Sequence, residues 1–357
     1  MKMRFPTGAW VRIALVVAIA ALVSGLLWWR GPDWNAIPDA FQAVRWHWVL
    51  IAIGFNLLSI VVRSLSWQTV ISQAMPPPRP RFPLVFSAFC VGLFANAVLP
   101  GRIGELARVA VLTRKTSPRT GTWATLVGTV FAHRVFDLIP AVLLIVYVLV
   151  TAKIPDWAIT SLIAVVAVGS ALFMLALASA RRHHRSVLEE AGTLKRVVEM
   201  ARQGLGVMHA PLPALLACMF QCLGWLCQFF AVYTAMRAFH IHAPLPAAGL
   251  VLVLMNVATI FPLWPGNIGL TQAAIALPLV QYGVAYARGF AFGIGLQAIE
   301  ASVGVGVGLI FLGREGLSFA MLRRMPEVTE ADAGEPPRPT DGQPAAETSR
   351  ERARISG

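Results

Sequence analysis

Across 357 residues the chain carries 57% hydrophobic and only 13% charged side chains, with a mean hydropathy of +0.67, against a charged fraction of ~25% in soluble domains. That excludes an ordinary soluble globular domain. The net charge of +13 is spread over short arginine-bearing segments, which fits anionic lipid headgroups as partners and not a nucleic acid.

In chain order, Met1-Lys2-Met3-Arg4 precedes an apolar run from Ile13 to Trp29 that closes on Trp28-Trp29-Arg30. The layout is that of a signal peptide, yet an interfacial aromatic end replaces a small-residue cleavage site, so an uncleaved first span is expected. Six segments are long enough for a bilayer, which needs ~20 apolar residues: about 10–29, 46–65, 122–151, 157–179, 211–236 and 288–313. Two further segments are interrupted. Residues 84–99 and 104–112 flank Pro100-Gly101-Arg102-Ile103-Gly104, and residues 247–262 and 268–284 flank Pro265-Gly266-Asn267-Ile268-Gly269. A break at membrane depth survives only where protein or a wet cavity satisfies its backbone, which re-entrant hairpins provide. Two full spans per hairpin is the rival arrangement. Residues 326–357, rich in Pro, Glu, Asp, Ala and Arg, form an expected disordered cytoplasmic tail after a membrane domain over 1–325.

The two pentapeptides lie 165 residues apart, and the same shift carries the span at Trp46 onto Pro211, one hairpin onto the other, and the span at Thr122 onto Ala287. The expected fold is therefore an all-α polytopic membrane protein of about six full spans and two re-entrant helical hairpins in an inverted repeat, with units at about 46–151 and 211–316. Placing both termini in the cytoplasm puts Lys2, Arg4, Arg79, Arg81, Arg114, Lys115, Arg119, the 181–202 cluster, Arg314, Arg323 and Arg324 inside. Outside there remain Arg30, Arg45, Lys153, Arg237 and Arg288, as the positive-inside rule asks of a bacterial inner-membrane protein.

Charged residues inside apolar segments cost ~2.5–3.5 kcal/mol each at the membrane centre on insertion scales, so they face partners or a cavity. Arg102, Glu105 and Arg108 recur at every third residue after the first Pro-Gly, on one broad helix face. His133, Arg134 and Asp137 lie in the third span and Glu300 in the last. A purely structural ion-pair set is one reading. The other is a headgroup site between the repeats, in which Arg102, Arg108 and Arg134 hold phosphate while Glu105, Asp137 and Glu300 organise them. Asn267 and Gln272 in the second hairpin join this candidate binding set. Backbone N–H groups of the half-helices after Gly104 and Gly269 would add to it.

Other signals resolve to bland readings. Cys90, Cys218, Cys222 and Cys227 form no Cys-x-x-Cys pair and read as small buried residues; His183-His184 and His240-x-His242 lack a third ligand, so no metal or cofactor is expected. No hydrolase, phosphate-loop or metalloprotease pattern appears, and no enzyme is expected. Trp46, Trp48 and Trp67 read as interface anchors, and Gly304, Gly306 and Gly308 as close packing. Asn56, Asn96 and Asn256 are polar at membrane depth, open to interhelical bonds or substrate.

The stretches Leu99-Pro100-Gly101-Arg102-Ile103-Gly104-Glu105-Leu106-Ala107-Arg108, His133-Arg134-Val135-Phe136-Asp137-Leu138 and Pro262-Leu263-Trp264-Pro265-Gly266-Asn267-Ile268-Gly269 resemble the lysylphosphatidylglycerol synthase transmembrane-region family. Arg63 and Trp67 also fit its pattern, and the resemblance runs over about residues 10–315. His133 and Gln272 depart from it, standing where the family often has Glu. The resemblance implies a flippase-like domain acting on a phospholipid or other lipid-linked headgroup. The aminoacyl-transferase domain of bifunctional relatives is not expected here, because little but the tail follows residue 315. A non-transporting accessory or scaffold subunit beside lipid or glycan enzymes is the alternative, with an intramembrane enzyme third.

Overall fold

In the computed structural model, residue 25 and residues 33–98, 103–116, 122–154, 211–259 and 267–314 are described. They all belong to the first of two units, residues 1–318 and 319–357. The predicted spans at 10–29 (apart from residue 25) and 157–179, the tail, and Pro100, Gly101, Arg102, Pro265 and Gly266 lie outside the described residues.

The described residues form nine α-helices: α1 (Ala36–Gln42), α2 (Trp46–Ala74), α3 (Phe82–Val98), α4 (Gly104–Lys115), α5 (Thr122–Thr151), α6 (Pro211–Ala238), α7 (Leu245–Ala258), α8 (Leu270–Leu279) and α9 (Tyr286–Arg314). Four of them, α2, α5, α6 and α9, are long and apolar enough to cross a membrane. At 1.5 Å per residue their 28 to 30 residues run ~42–45 Å, beyond a ~30 Å hydrocarbon core. The helices of the two interrupted segments are shorter. With 17, 12, 14 and 10 residues, α3, α4, α7 and α8 reach ~15–26 Å, and none matches that core alone.

The centre of the fold is α2 laid antiparallel on α6. The Arg45 amide donates to the Ala238 carbonyl at 3.0 Å, Ser59 Oγ to the Gly224 carbonyl at 2.8 Å, and Ser66 Oγ to the Ala217 carbonyl at 2.9 Å. As the number rises on α2 it falls on α6. Ser59 and Gly224, at the crossing, are themselves 165 residues apart. The serines approach through small partners, as membrane helices prefer. Toward the α1 end, Val49, Ala52, Val232, Ala235, Met236, Phe239 and Phe292 form the main apolar core.

Around this axis each closely packed pair has a counterpart under the same shift: α3 on α9 with α7 on α5, α3 on α4 with α7 on α8, α4 on α5 with α8 on α9. α3 and α4 approach to backbone distance at Gly92 and Gly104. A Cβ on Gly104 would fall 2.0 Å from the Gly92 carbonyl oxygen, so only glycine fits there. Glycine packing is less general than the sequence suggests. Gly308 seats against Phe94 and Cys90 of α3, but a Cβ on Gly304 or Gly306 would meet no neighbouring helix within 4 Å.

Candidate functional site

The polar centre is assembled from five helices, α2, α4, α5, α6 and α9. Asp137 stands near the middle of the 30-residue α5, and Glu300 at the middle of the 29-residue α9. Asp137 Oδ1 accepts from Arg63 Nη2 of α2 at 2.8 Å, from Trp225 Nε1 of α6 at 2.9 Å and from the Gln221 amide of α6. Its Oδ2 accepts from Arg134 Nη1 at 3.1 Å. Both carboxylate oxygens are therefore engaged.

Arg134 also pairs with Glu105 of α4, and Glu105 pairs in turn with Arg108 one turn along its own helix. The Arg108 guanidinium, 4% exposed as a residue, lies over the Trp67 ring at 4.5 Å and the Phe89 ring at 5.5 Å. Aromatic faces stabilise a desolvated guanidinium. Trp67 is held in place by its Nε1 donating to Thr129 Oγ1 at 3.2 Å. On the far side, Arg63 Nη1 donates to Gln228 Oε1 at 3.4 Å, and Gln228 stands beside Glu300. One polar chain thus runs from Arg108 through Glu105, Arg134, Asp137, Arg63 and Gln228 to Glu300.

Exposure grades along that chain. The Arg134 side chain is 52% exposed, Glu105 24%, Arg63 20%, Asp137 11% and Arg108 5%. Arg134 shares its helix face with Phe131 and Leu138, three residues before and four after it, which are 53% and 61% exposed. The network is reached sideways, past an apolar rim. Three guanidinium nitrogens, Arg63 Nε, Arg108 Nε and Arg108 Nη2, are buried and make no hydrogen bond among the described residues, the last standing in ion-pair contact with Glu105.

Of the eight residues singled out from sequence, Glu105, Arg108, Arg134 and Asp137 come into direct contact, and Glu300 joins them through Gln228 and Arg63. Arg102 lies outside the described residues. Asn267 and Gln272 do a different job. Asn267 takes a left-handed φ of 44° and donates to the Ala258 carbonyl at 2.7 Å, while Gln272 Oε1 accepts the Gly269 amide at 2.5 Å and its Nε2 donates to Gln297. They fix the entry to α8. Gly104, the counterpart of Gly269, has its amide taken by Asn96 Oδ1 at 2.9 Å. The Gly104 and Gly269 amides, where the two half-helices begin, are thus bound by side-chain oxygens.

Sequence reasoning missed Arg63, Gln221, Trp225 and Gln228 as members of the network. It also misplaced Trp67, which is fully buried and not an interface anchor, whereas Trp46 is 72% exposed. His133 is buried with its ring edge on Phe89. Among the described residues no group of three or more His, Cys, Asp or Glu could hold a metal ion.

No solved structure matches the chain. A UPF0104 membrane protein, PH1989, of Pyrococcus horikoshii is 29% identical over 129 residues, which span 36% of this chain and 37% of that protein. The pattern of the family described as the lysylphosphatidylglycerol synthase TM region matches residues 10–308. With four membrane-length helices and the matching motifs at their junctions, this chain is an integral membrane protein of the lysylphosphatidylglycerol synthase TM region family.

Proposed function

We propose that the protein translocates a phospholipid or other lipid bearing a phosphate headgroup, which it reads at the mid-membrane network. The observation that carries this reading is the charge arrangement. Among the described residues Arg63, Arg108 and Arg134 are ion-paired with two carboxylates, Glu105 and Asp137. One positive charge is in excess, and the Arg63 and Arg108 Nε–H groups are still unspent. A phosphate oxygen accepts from guanidinium forks in the geometry these groups present. The half-exposed Arg134 on an otherwise apolar face lets a headgroup reach the network while its acyl chains stay in hydrocarbon.

The architecture supports alternating access. Elements that correspond under the 165-residue shift make corresponding contacts, and α2 meets its counterpart α6 antiparallel at Ser59 and Gly224. This is how an inverted repeat with an in-plane pseudo-two-fold axis packs, with the substrate site near the midplane at the repeat interface. The short helices α3, α4, α7 and α8 fit re-entrant hairpins entering from opposite faces. Arg79, Arg81, Arg114 and Lys115 then face the cytoplasm, with Arg45, Lys153, Arg237 and Arg288 on the other side, in a bacterial inner membrane. The chain acts in this reading as a carrier and not as an enzyme.

One observation favours a second reading, that of a non-transporting accessory subunit. Each of the three guanidiniums already has a carboxylate partner, as in a network that only holds helices together. Reconstitution separates the two. Purified protein in vesicles of phosphatidylcholine with fluorescent phosphatidylglycerol is expected to speed lipid flipping well above protein-free vesicles, with at least tenfold loss in Arg63→Ala and Arg134→Ala. No flipping by folded wild-type protein, or equal flipping by folded variants, would sink the carrier reading.

A further inference from the structure

We propose that Glu300 is a proton-binding site linked to the headgroup site, so that one proton is taken up when an anionic headgroup binds and the two cross the membrane together. This rests on the headgroup reading above.

The three carboxyls of the network are not equivalent. Glu105 is paired with Arg108 and Arg134, and Asp137 with Arg63 and Arg134. Glu300 has no cation within ion-pair distance among the described residues. Its link to the network is the neutral Gln228 amide, whose oxygen is already occupied by Arg63. Its Oε1 is buried and makes no hydrogen bond. An ionised carboxylate at the middle of a span, without a cation, is unfavourable, and a bound proton relieves it.

The surroundings of α9 offer no substitute for that proton. Neither α3 nor α8 carries a charged residue. On α2 the nearby cation is Arg63, separated from Glu300 by Gln228, while Arg45 and His47 stand exposed at the helix start. On α6, Arg237 lies in the last turn beside Tyr233, and the remaining titratable groups are Cys218, Cys222 and Cys227. Asp39 of α1 is exposed. On α5, beside Arg134 and Asp137, His133 is buried against Phe89.

The charges then link the two sites. With Glu300 protonated, three guanidiniums face two carboxylates and the single excess charge matches a phosphodiester monoanion. With Glu300 ionised the excess is gone, and a bound phosphodiester would leave the centre of the membrane negative. Headgroup binding therefore favours the protonated carboxyl, and by linkage protonation favours headgroup binding to the same degree. The proton enters from water on the side to which the site is open and leaves on the other; only the carboxyl O–H bond forms and breaks.

The test uses the full chain in detergent with dihexanoyl-phosphatidylglycerol as probe, titrated calorimetrically in buffers of differing ionisation enthalpy over about pH 5.5 to 8.5. The phosphodiester stays monoanionic throughout. The expected result is uptake approaching one proton per lipid bound, with Kd weakening by up to about tenfold per pH unit above the Glu300 midpoint. Glu300→Gln, neutral at every pH, is expected to bind without proton uptake and with a flat Kd, His133 being unchanged. Binding by wild type without proton uptake at any pH overturns the proposal, as does undiminished uptake in the folded variant. Should Glu300→Gln not fold, the wild-type proton count alone decides. Absence of any lipid binding at all pH values instead sinks the headgroup reading on which this depends.

Discussion

Asp137 receives hydrogen bonds from α2, α6 and its own helix, so its charge ties together three elements that also meet in the small apolar cluster of Val70, Ala132, Phe136 and Ala217. Neutralising it leaves Arg63 short of a counter-charge in a largely buried place, and breaking such a pair costs about 3–5 kcal/mol, far more than a surface ion pair. Asp137→Asn, isosteric but uncharged, is expected to lower the unfolding midpoint in detergent clearly, and the double variant Arg63→Met with Asp137→Leu to recover much of the loss. A single variant as stable as wild type would show that the pair contributes nothing net. At this scale the sequence was legible where a charge stood out. Glu105, Arg108, Arg134 and Asp137 interrupt apolar runs and are conspicuous for their insertion cost. Gln221, Gln228 and Trp225 carry no charge, and nothing marks them until Asp137 and Arg63 are seen to need them.

Arg63 and Trp67 were obscured for a reason that belongs to the element. The apolar run beginning at Trp46 fades near residue 65, where Ser64, Ser66, Gln68 and Thr69 follow, so both residues look like the membrane edge. The helix continues to Ala74 because that polar face is not wet. Ser66 is bonded to α6, Gln68 to the Pro80 carbonyl and Thr69 to its own helix. Arg63 is thereby carried to the depth of Asp137. The two interrupted segments were legible as short helices, since Pro and Gly mark their breaks, but their sidedness depends on length and packing. If each is a re-entrant hairpin, cysteines placed at Arg81 and Thr116 in a background free of native cysteines are expected to react with an impermeant maleimide from one face of the membrane. Cysteines at His242 and Gly283 are expected to react from the opposite face. Labelling of Arg81 and Thr116 from opposite faces would show that the first segment crosses an odd number of times, and the hairpin arrangement would fail.

For the whole molecule, a repeated pentapeptide at a spacing of 165 proved a better guide to architecture than to chemistry. The spacing predicted which helices would be counterparts, and the packed pairs follow it, with Ser59 and Gly224 meeting at the α2 and α6 crossing. The chemistry is not shared between the halves. Glu105 and Arg108 on α4 correspond to Leu270 and Ala273 on α8, and Arg63 to the neutral Gln228 that it touches. The most direct measurement is headgroup-selective lipid retention by the purified full chain in native mass spectrometry. Wild type is expected to keep phosphatidylglycerol in preference to diacylglycerol of matched chains, and the variant Arg63→Ala with Arg134→Ala to lose that preference while staying folded. Equal retention of the two lipids by wild type, or an undiminished preference in the variant, would contradict the assignment of the arginine network as the phosphate reader.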